Sequence, residues 1–346
     1  MNVSTNVSAL ADLELKKLRA LVEQIGNTPV QAIYLELDGT PRTVYLKLEG
    51  ANPGGSVKAR TAYSLIRHLE EYKLLQKDSV ILESTSGNLG VALAMIAKAR
   101  GYRFRAITDL KATQENVAKM QLLDAEVEII SKPDKTGGYL LSRLGRIEDL
   151  CRASSRYIWT NQYSNVANPA VHYRQTGPEL YQQMHGNIDV VFVAVSTGGT
   201  LAGIGRYFRE ASPQTRIIGV DVKGSVIFGT PPGPRILTGI GAARPSDFIT
   251  RDVYDTYMLV GDEEAFAFCH ALYDGTGIKV GGSSGAVLAA CARYLAEHPE
   301  VKRPACLCPD TGENYVSSIF NQQWLEEHNL SLAGHLGPVT KIHSEI

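Results

Sequence analysis

Apolar positions along the chain follow two rhythms that alternate. "TVYLKLEG" (43–50) is apolar at every second residue, as in a half-buried strand. "SVILES" (79–84) is a short apolar run of buried-strand length, and "NLGVALAMIAKARG" (88–101) is a helix closed by Gly101. "RFRAIT" predicts a strand, "TQENVAKMQLLDA" a helix and "EVEIIS" another strand. Further on, "DVVFVAVS" leads into the helical "GGTLAGIGRYFREAS". "RIIGVDV" follows, and "PACLCPD" is a late buried strand. Strand, turn, helix, strand, repeated, is the signature of α/β architecture: mostly parallel sheets covered by helices.

The repeats fall in two blocks, which predict two lobes. Residues 52–164 form a smaller, mobile lobe. Residues 1–51 with 165–328 form a larger one, and 329–346 is a tail without periodicity that is expected to be disordered. The Asn- and Pro-rich "TNQYSNVANPAVHY" (160–173) marks the passage between them.

Composition narrows the function classes. The 346 residues suit two domains, and a formal net charge of -1 offers no basic surface for nucleic acid or anionic lipid. No apolar run is long enough to span a bilayer, and the N-terminal stretch reads as a polar leader and an amphipathic helix. Five scattered cysteines do not make a disulfide framework. Cys306 and Cys308 form C-x-C without a second pair, so they are read as buried strand thiols and no metal site is expected. A cytoplasmic location fits these features.

Glycine, at 32 residues, is the departure that points to chemistry, because it clusters where strands should end. Three polar, glycine-rich turns run into helices: "ESTSGNLG" (83–90), "VSTGGTLAG" (195–203) and "VGGSSGAVLAA" (280–290). Such helix starts present unpaired N–H groups to an anion. "STGGT" suits a phosphate, yet neither a Walker loop nor a G-x-G-x-x-G accompanies it, which counts against a nucleotide. The remaining signal is Lys58 in "NPGGSVKARTA" (52–62), in the first turn of a helix, where the dipole disfavours a cation. A lysine, a phosphate cradle and polar partners are what pyridoxal phosphate needs, the lysine holding its aldehyde as a Schiff base.

The ordered set "NPGGSVKAR", "STSGN", "NQYSNVANP", "STGGTLAG", "GIGA" and "GGSSGA" resembles the cysteine synthases and cystathionine β-synthases, the fold-type II pyridoxal-phosphate enzymes, over residues 25–325. The resemblance implies the two-lobed fold of the tryptophan synthase β-like proteins. It implies that Lys58 binds the cofactor and moves the α-proton, and that Asn88 faces the ring 3-oxygen. Ser196, Thr197, Gly198, Gly199 and Thr200 would bind the phosphate, and Ser283 would face the ring nitrogen. Thr85, Ser86, Asn88 and Gln162 would hold the substrate α-carboxylate, with the GIGA turn, Gly241 included, on the far side. A homodimer is also implied.

Two departures bear on the reaction. Ala59 stands where cysteine synthases carry an aspartate, and Leu89 where they carry a threonine. "TGGYLLSRL", "WTNQYSN" and "DVKGSVIFG" are similar to the branch that makes N-(2-amino-2-carboxyethyl)glutamate. That branch implies β-replacement on O-phosphoserine through an aminoacrylate, with the amine of glutamate as nucleophile, for 2,3-diaminopropionate in siderophore or antibiotic assembly. Extra anionic groups then call for arginine. Arg143 and Arg244 are the candidates, with Tyr163 beside Gln162 as a hydrogen-bonding partner, while His172 is read as structural. A sulfide-using cysteine synthase and a binding protein that kept the fold but lost turnover are the alternatives.

Overall fold

The computed structural model describes residues 3–134 and 138–344. In chain order the elements begin with α1 (Val3–Val22), β1 (Val30–Leu37), β2 (Thr40–Leu48), α2 (Lys58–Glu71), β3 (Val80–Ser84), α3 (Asn88–Arg100) and β4 (Arg103–Asp109). There follow α4 (Gln114–Leu122), β5 (Glu126–Ile130), α5 (Leu140–Ala153), β6 (Tyr157–Trp159), α6 (Ala167–Val171), a π-helical turn (His172–Thr176) and α7 (Gly177–Gln183). The chain closes with β7 (Val190–Ala194), α8 (Gly199–Ala211), β8 (Arg216–Val222), β9 (Thr256–Val260), α9 (Asp262–Thr276), α10 (Gly282–Glu297), β10 (Pro304–Cys308), α11 (Gln322–Glu327) and β11 (Val339–His343). They gather into two compact units. One holds residues 1–27, 52–54 and 58–168, the other 28–51, 55–57 and 169–346.

The first unit carries a four-stranded sheet in the order β5-β4-β3-β6, parallel throughout. Central β3 is buried at all five positions, as a strand covered on both faces must be. Helix α3 is apolar on nearly every side, Leu89 to Ala99, and packs with Leu65, Ile66 and Phe104 in one core. Connections from β3 run outward to β4 and β5, while β6 returns on the other side of β3. The order therefore reverses at β3, and ligands in such sheets bind outside the carboxyl ends of the strands at that reversal. The loops leaving β3 and β6 are Thr85–Gly87 and Thr160 onward.

The second unit carries a seven-stranded sheet, β11-β1-β2-β10-β7-β8-β9. β1 pairs antiparallel with β2 and β11, and the pairings from β2 through β10, β7 and β8 to β9 are parallel. Here the order reverses at β7, with β8 and β9 on one side and β10 on the other. The loop leaving β7 is 195–198. Its core is built on Phe192, Ile218, Val220 and the buried face of α10.

Two features differ from the sequence reading. Helix α1 groups with the first unit, where Arg19 Nε donates to Ala99 O at 2.9 Å, so it does not go with the larger lobe. The tail is not without structure: Val339 and Ile342 are buried, β11 adds to the edge of β1, and His343 stacks on Tyr34 with ring centroids 5.4 Å apart. β11 thereby covers the edge of β1 and becomes the margin itself, where the exposed Lys341 is the kind of charge that discourages further strand pairing. Thr136 and Gly137, which open "TGGYLLSRL", lie outside the described residues.

Candidate functional site

In the first unit the residues singled out from sequence lie at three starts of structure. Lys58 opens α2, in the first turn as expected, and Asn88 opens α3. The two helices pack against each other in the same core. Between β3 and α3, Thr85 is buried and its hydroxyl accepts from Gly90 N at 3.0 Å, which folds the Ser84–Asn88 turn back on itself. Gln162 follows β6. Its Nε2 donates to Ser84 O at 2.8 Å, and its carbonyl accepts from Asn168 Nδ2 at 2.7 Å. Gln162 and the Ser84–Asn88 turn are thus joined directly at the switch point, with Tyr163 half-buried beside them.

Arg143, a candidate reader of an extra anionic group, already has a carboxylate beside it. It is buried on α5, with Nε 3.3 Å from Asp109 Oδ2 at the end of β4. A buried guanidinium needs such a partner, since an isolated charge out of water is costly. Leu89 is 3% exposed and belongs to the apolar core of the unit.

In the second unit, Ser196–Thr200 occupies the turn from β7 into α8. Gly198 has φ +91°, and a Cβ there would come within 2.2 Å of Ser246 Oγ. Only glycine therefore fits. The first helical hydrogen bond runs from Ala202 N to Gly198 O at 2.9 Å, so the N–H groups of Gly199, Thr200 and Leu201 come before any intrahelical acceptor. The loop is braced from behind: Ser246 Oγ donates to Thr197 O at 2.6 Å, Gly241 N to Val195 O at 2.7 Å and Ser196 Oγ to Gly241 O at 3.3 Å. The GIGA turn and this loop are one hydrogen-bonded structure. Arg244, just beyond it, pairs with Asp247 at 2.8 Å on the surface. Ser283 is buried in the first turn of α10.

Sequence reasoning set His172 aside as structural, and the structure gives it a second connection. Its Nδ1 is 3.0 Å from Thr176 Oγ1 and its Nε2 3.3 Å from Thr200 Oγ1. It is fully buried in the π-helical turn, and turns of this kind gather at functional sites. The available signal was the His-x-x-x-Thr spacing, which places two polar side chains on one helical face.

The sequence pattern of the pyridoxal-phosphate dependent enzymes matches residues 21–310. The chain belongs to that family. It is 38% identical over 317 residues to the N-(2-amino-2-carboxyethyl)-L-glutamate synthase of Ralstonia nicotianae, covering 91% of this chain and 94% of that one. Among solved structures it is similar to a hydrogen sulfide-producing enzyme from Fusobacterium nucleatum (TM-score 0.80, 30% identity, 85% of this chain and 98% of the other). It is also similar to an O-acetylserine dependent cystathionine β-synthase from Helicobacter pylori (TM-score 0.78, 30% identity, 86% and 97%). The family membership makes this a pyridoxal-phosphate dependent enzyme, and these relatives make it a β-substitution synthase.

The residues present fit the cofactor. The Ser196–Thr200 turn is a small-residue cradle in which glycine is obligatory and backbone N–H groups are presented at a helix start. Lys58, at the start of α2, carries a primary amine, the group with which the cofactor's aldehyde reacts. Among the described residues no group of three or more His, Cys, Asp or Glu is placed to hold a metal, and no helix is long and apolar enough to cross a membrane. Cys306 and Cys308 are buried on β10, and burial pushes both thiols upward, as inert core thiols.

Proposed function

We propose that this enzyme joins the β-carbon of O-phospho-L-serine to the amine of L-glutamate, giving N-(2-amino-2-carboxyethyl)-L-glutamate and phosphate. The observation that carries the choice of nucleophile is the 38% identity, over nearly the full length of both chains, to a synthase named for that product. The sulfur-handling structural relatives stand at 30%. The buried Leu89, in place of a hydroxyl on the carboxylate loop, is in keeping with this reading.

When bound, the cofactor draws electron density from the substrate's α-carbon, which makes the α-proton acidic and the β-substituent a leaving group. The chain's own residues supply the rest. Lys58 would hold the cofactor through its Nζ and would move the proton at the substrate's α-carbon. Backbone N–H groups and hydroxyls of Ser196, Thr197, Gly198, Gly199 and Thr200 would hold its phosphate, Asn88 would face its 3-oxygen and Ser283 its ring nitrogen. Thr85, Ser86, Asn88 and Gln162 grip the α-carboxylate of the donor. Gly241, in the turn braced against the Ser196–Thr200 loop, would contact the substrate, and Tyr163 would hydrogen-bond donor or acceptor. Arg143 and Arg244 read the extra anionic groups by exchanging Asp109 and Asp247 for a substrate carboxylate or phosphate.

The reading extends to 2,3-diaminopropionate supply for siderophore or antibiotic assembly, and to a cytoplasmic homodimer. The test is visible absorption of the purified holoenzyme through addition of O-phosphoserine and then of glutamate or sulfide, with the product weighed by mass spectrometry. A spectral change with O-phosphoserine that reverses with glutamate supports the reading. Reversal with sulfide alone would make the enzyme a cysteine synthase, and no change with O-phosphoserine or, in a parallel run, with O-acetylserine would favour a binding protein.

A further inference from the structure

Four donors converge on one buried carboxylate. Glu83 is the fourth residue of β3, after three apolar ones, and is fully buried. Its Oε1 accepts from Ser84 N at 2.7 Å and from Trp159 Nε1 at 3.2 Å. Its Oε2 accepts from the Thr160 hydroxyl at 2.6 Å and from Gln162 N at 2.9 Å. An ionised carboxylate has about four acceptor positions and no proton to give. Three of the four partners are N–H groups, which can only donate, so the cage matches the capacity of the ion. Burial pushes the carboxyl above its ordinary range, and the four hydrogen bonds pull the other way.

A charge in the middle of a parallel sheet conflicts with the pattern of the strand. Conflicts of this kind are concentrated where function requires them. The bonds from Thr160 and Gln162 cross from β6 to β3, and both strands end at the switch point. Gln162 is held on three sides: its amide N–H by Glu83, its carbonyl by Asn168 and its side chain by Ser84.

We propose that Glu83 is a positioning residue for the donor's α-carboxylate site, acting through Gln162, whose backbone it fixes beside the Ser84–Asn88 turn. This rests on the proposed role of Gln162 in gripping that carboxylate. Glu83→Gln keeps the shape but turns an NH2 group toward two of the four donors. In the holoenzyme, the dissociation constant for O-phosphoserine from spectral titration should rise at least about ten-fold. Amide hydrogen exchange of the 159–163 segment in the ligand-free protein should accelerate. On a Gln162→Ala background the same substitution should add less than about two-fold, because both act through one group.

A Glu83→Gln protein that melts earlier but binds O-phosphoserine with unchanged affinity overturns the proposal, as do effects that multiply in the double variant. Gln162→Ala without effect on affinity overturns the carboxylate reading, and the proposal with it. A loss with Gln162→Ala but none with Glu83→Gln overturns the proposal alone. Should Glu83→Gln fail to fold, Thr160→Val removes one donor from the same cage. It should weaken O-phosphoserine binding by a smaller factor that disappears on the Gln162→Ala background, and unchanged affinity overturns the proposal.

Discussion

Replacing Gly198 by alanine tests the phosphate cradle at its tightest point. The new Cβ would sit 2.2 Å from Ser246 Oγ, 2.8 Å from Ile249 Cγ1 and 3.0 Å from Ser246 Cβ, at φ +91°. The left-handed conformation costs an L-residue roughly 1–2 kcal/mol, and overpacking of this severity roughly 1–3 kcal/mol more. Ser246 cannot move away freely, since its hydroxyl is tied to Thr197 O at 2.6 Å and accepts from Phe248 N at 3.1 Å. The strain is therefore relieved by shifting the Ser196–Thr200 turn, the segment proposed to hold the cofactor phosphate. We expect cofactor affinity, measured by absorbance titration of the resolved apoenzyme, to fall at least about ten-fold, with each factor of ten worth about 1.4 kcal/mol. Adding Ser246→Ala removes the 2.2 Å contact while leaving those at 2.8 and 3.0 Å, so it should restore part of the loss. A Gly198→Ala enzyme with wild-type cofactor affinity and melting temperature would refute the reasoning. A double variant no better than the single one would show that Ser246 is not the obstacle.

Other residues give independent tests. Asp221 is buried at the end of β8 and desolvation pushes its pKa up from 3.8 to about 6, against the pull of Ser225, Val222 N and the Arg235 cation. Between those pH values the native chain keeps a proton that the unfolded chain releases, so its stability falls as pH rises through the window. Asp221→Asn should match the wild type near pH 4 and exceed it by about 3 kcal/mol above pH 6, and urea unfolding at both pH values checks this. His172→Ala removes the side chain that bridges Thr176 and Thr200. It should weaken cofactor retention on dialysis, whereas unchanged retention would return His172 to a purely structural role. Leu89→Thr should cost about 2–4 kcal/mol in thermal or urea unfolding, because Leu89 packs in the core, and sulfide turnover should not rise.

The site was legible where chemistry is local and opaque where it depends on distant pairing. Lys58 at the first turn of α2 and the Gly198 turn at the start of α8 were readable because helix starts and small-residue turns are written in a few adjacent residues. β11 was missed because only Val339 and Ile342 are buried in it, too few positions to set a period, and its partner β1 lies near the other end of the sequence. The placement of α1 was missed because an amphipathic helix records that it packs, not on what. The partner of Arg143 was not foreseen, since an arginine in an amphipathic helix shows no trace in sequence of an aspartate 34 positions away. Glu83 is the sharpest case. It stands inside a quoted motif, yet its meaning comes from Trp159, Thr160 and Gln162, 76 to 79 residues on. The motif shows that the strand ends in polar residues; only the pairing of β6 with β3 makes that glutamate a fixed point. Local rules thus locate the helix starts and small-residue turns proposed to meet cofactor and substrate, while the groups that hold them in place come from the order of strands in the sheet.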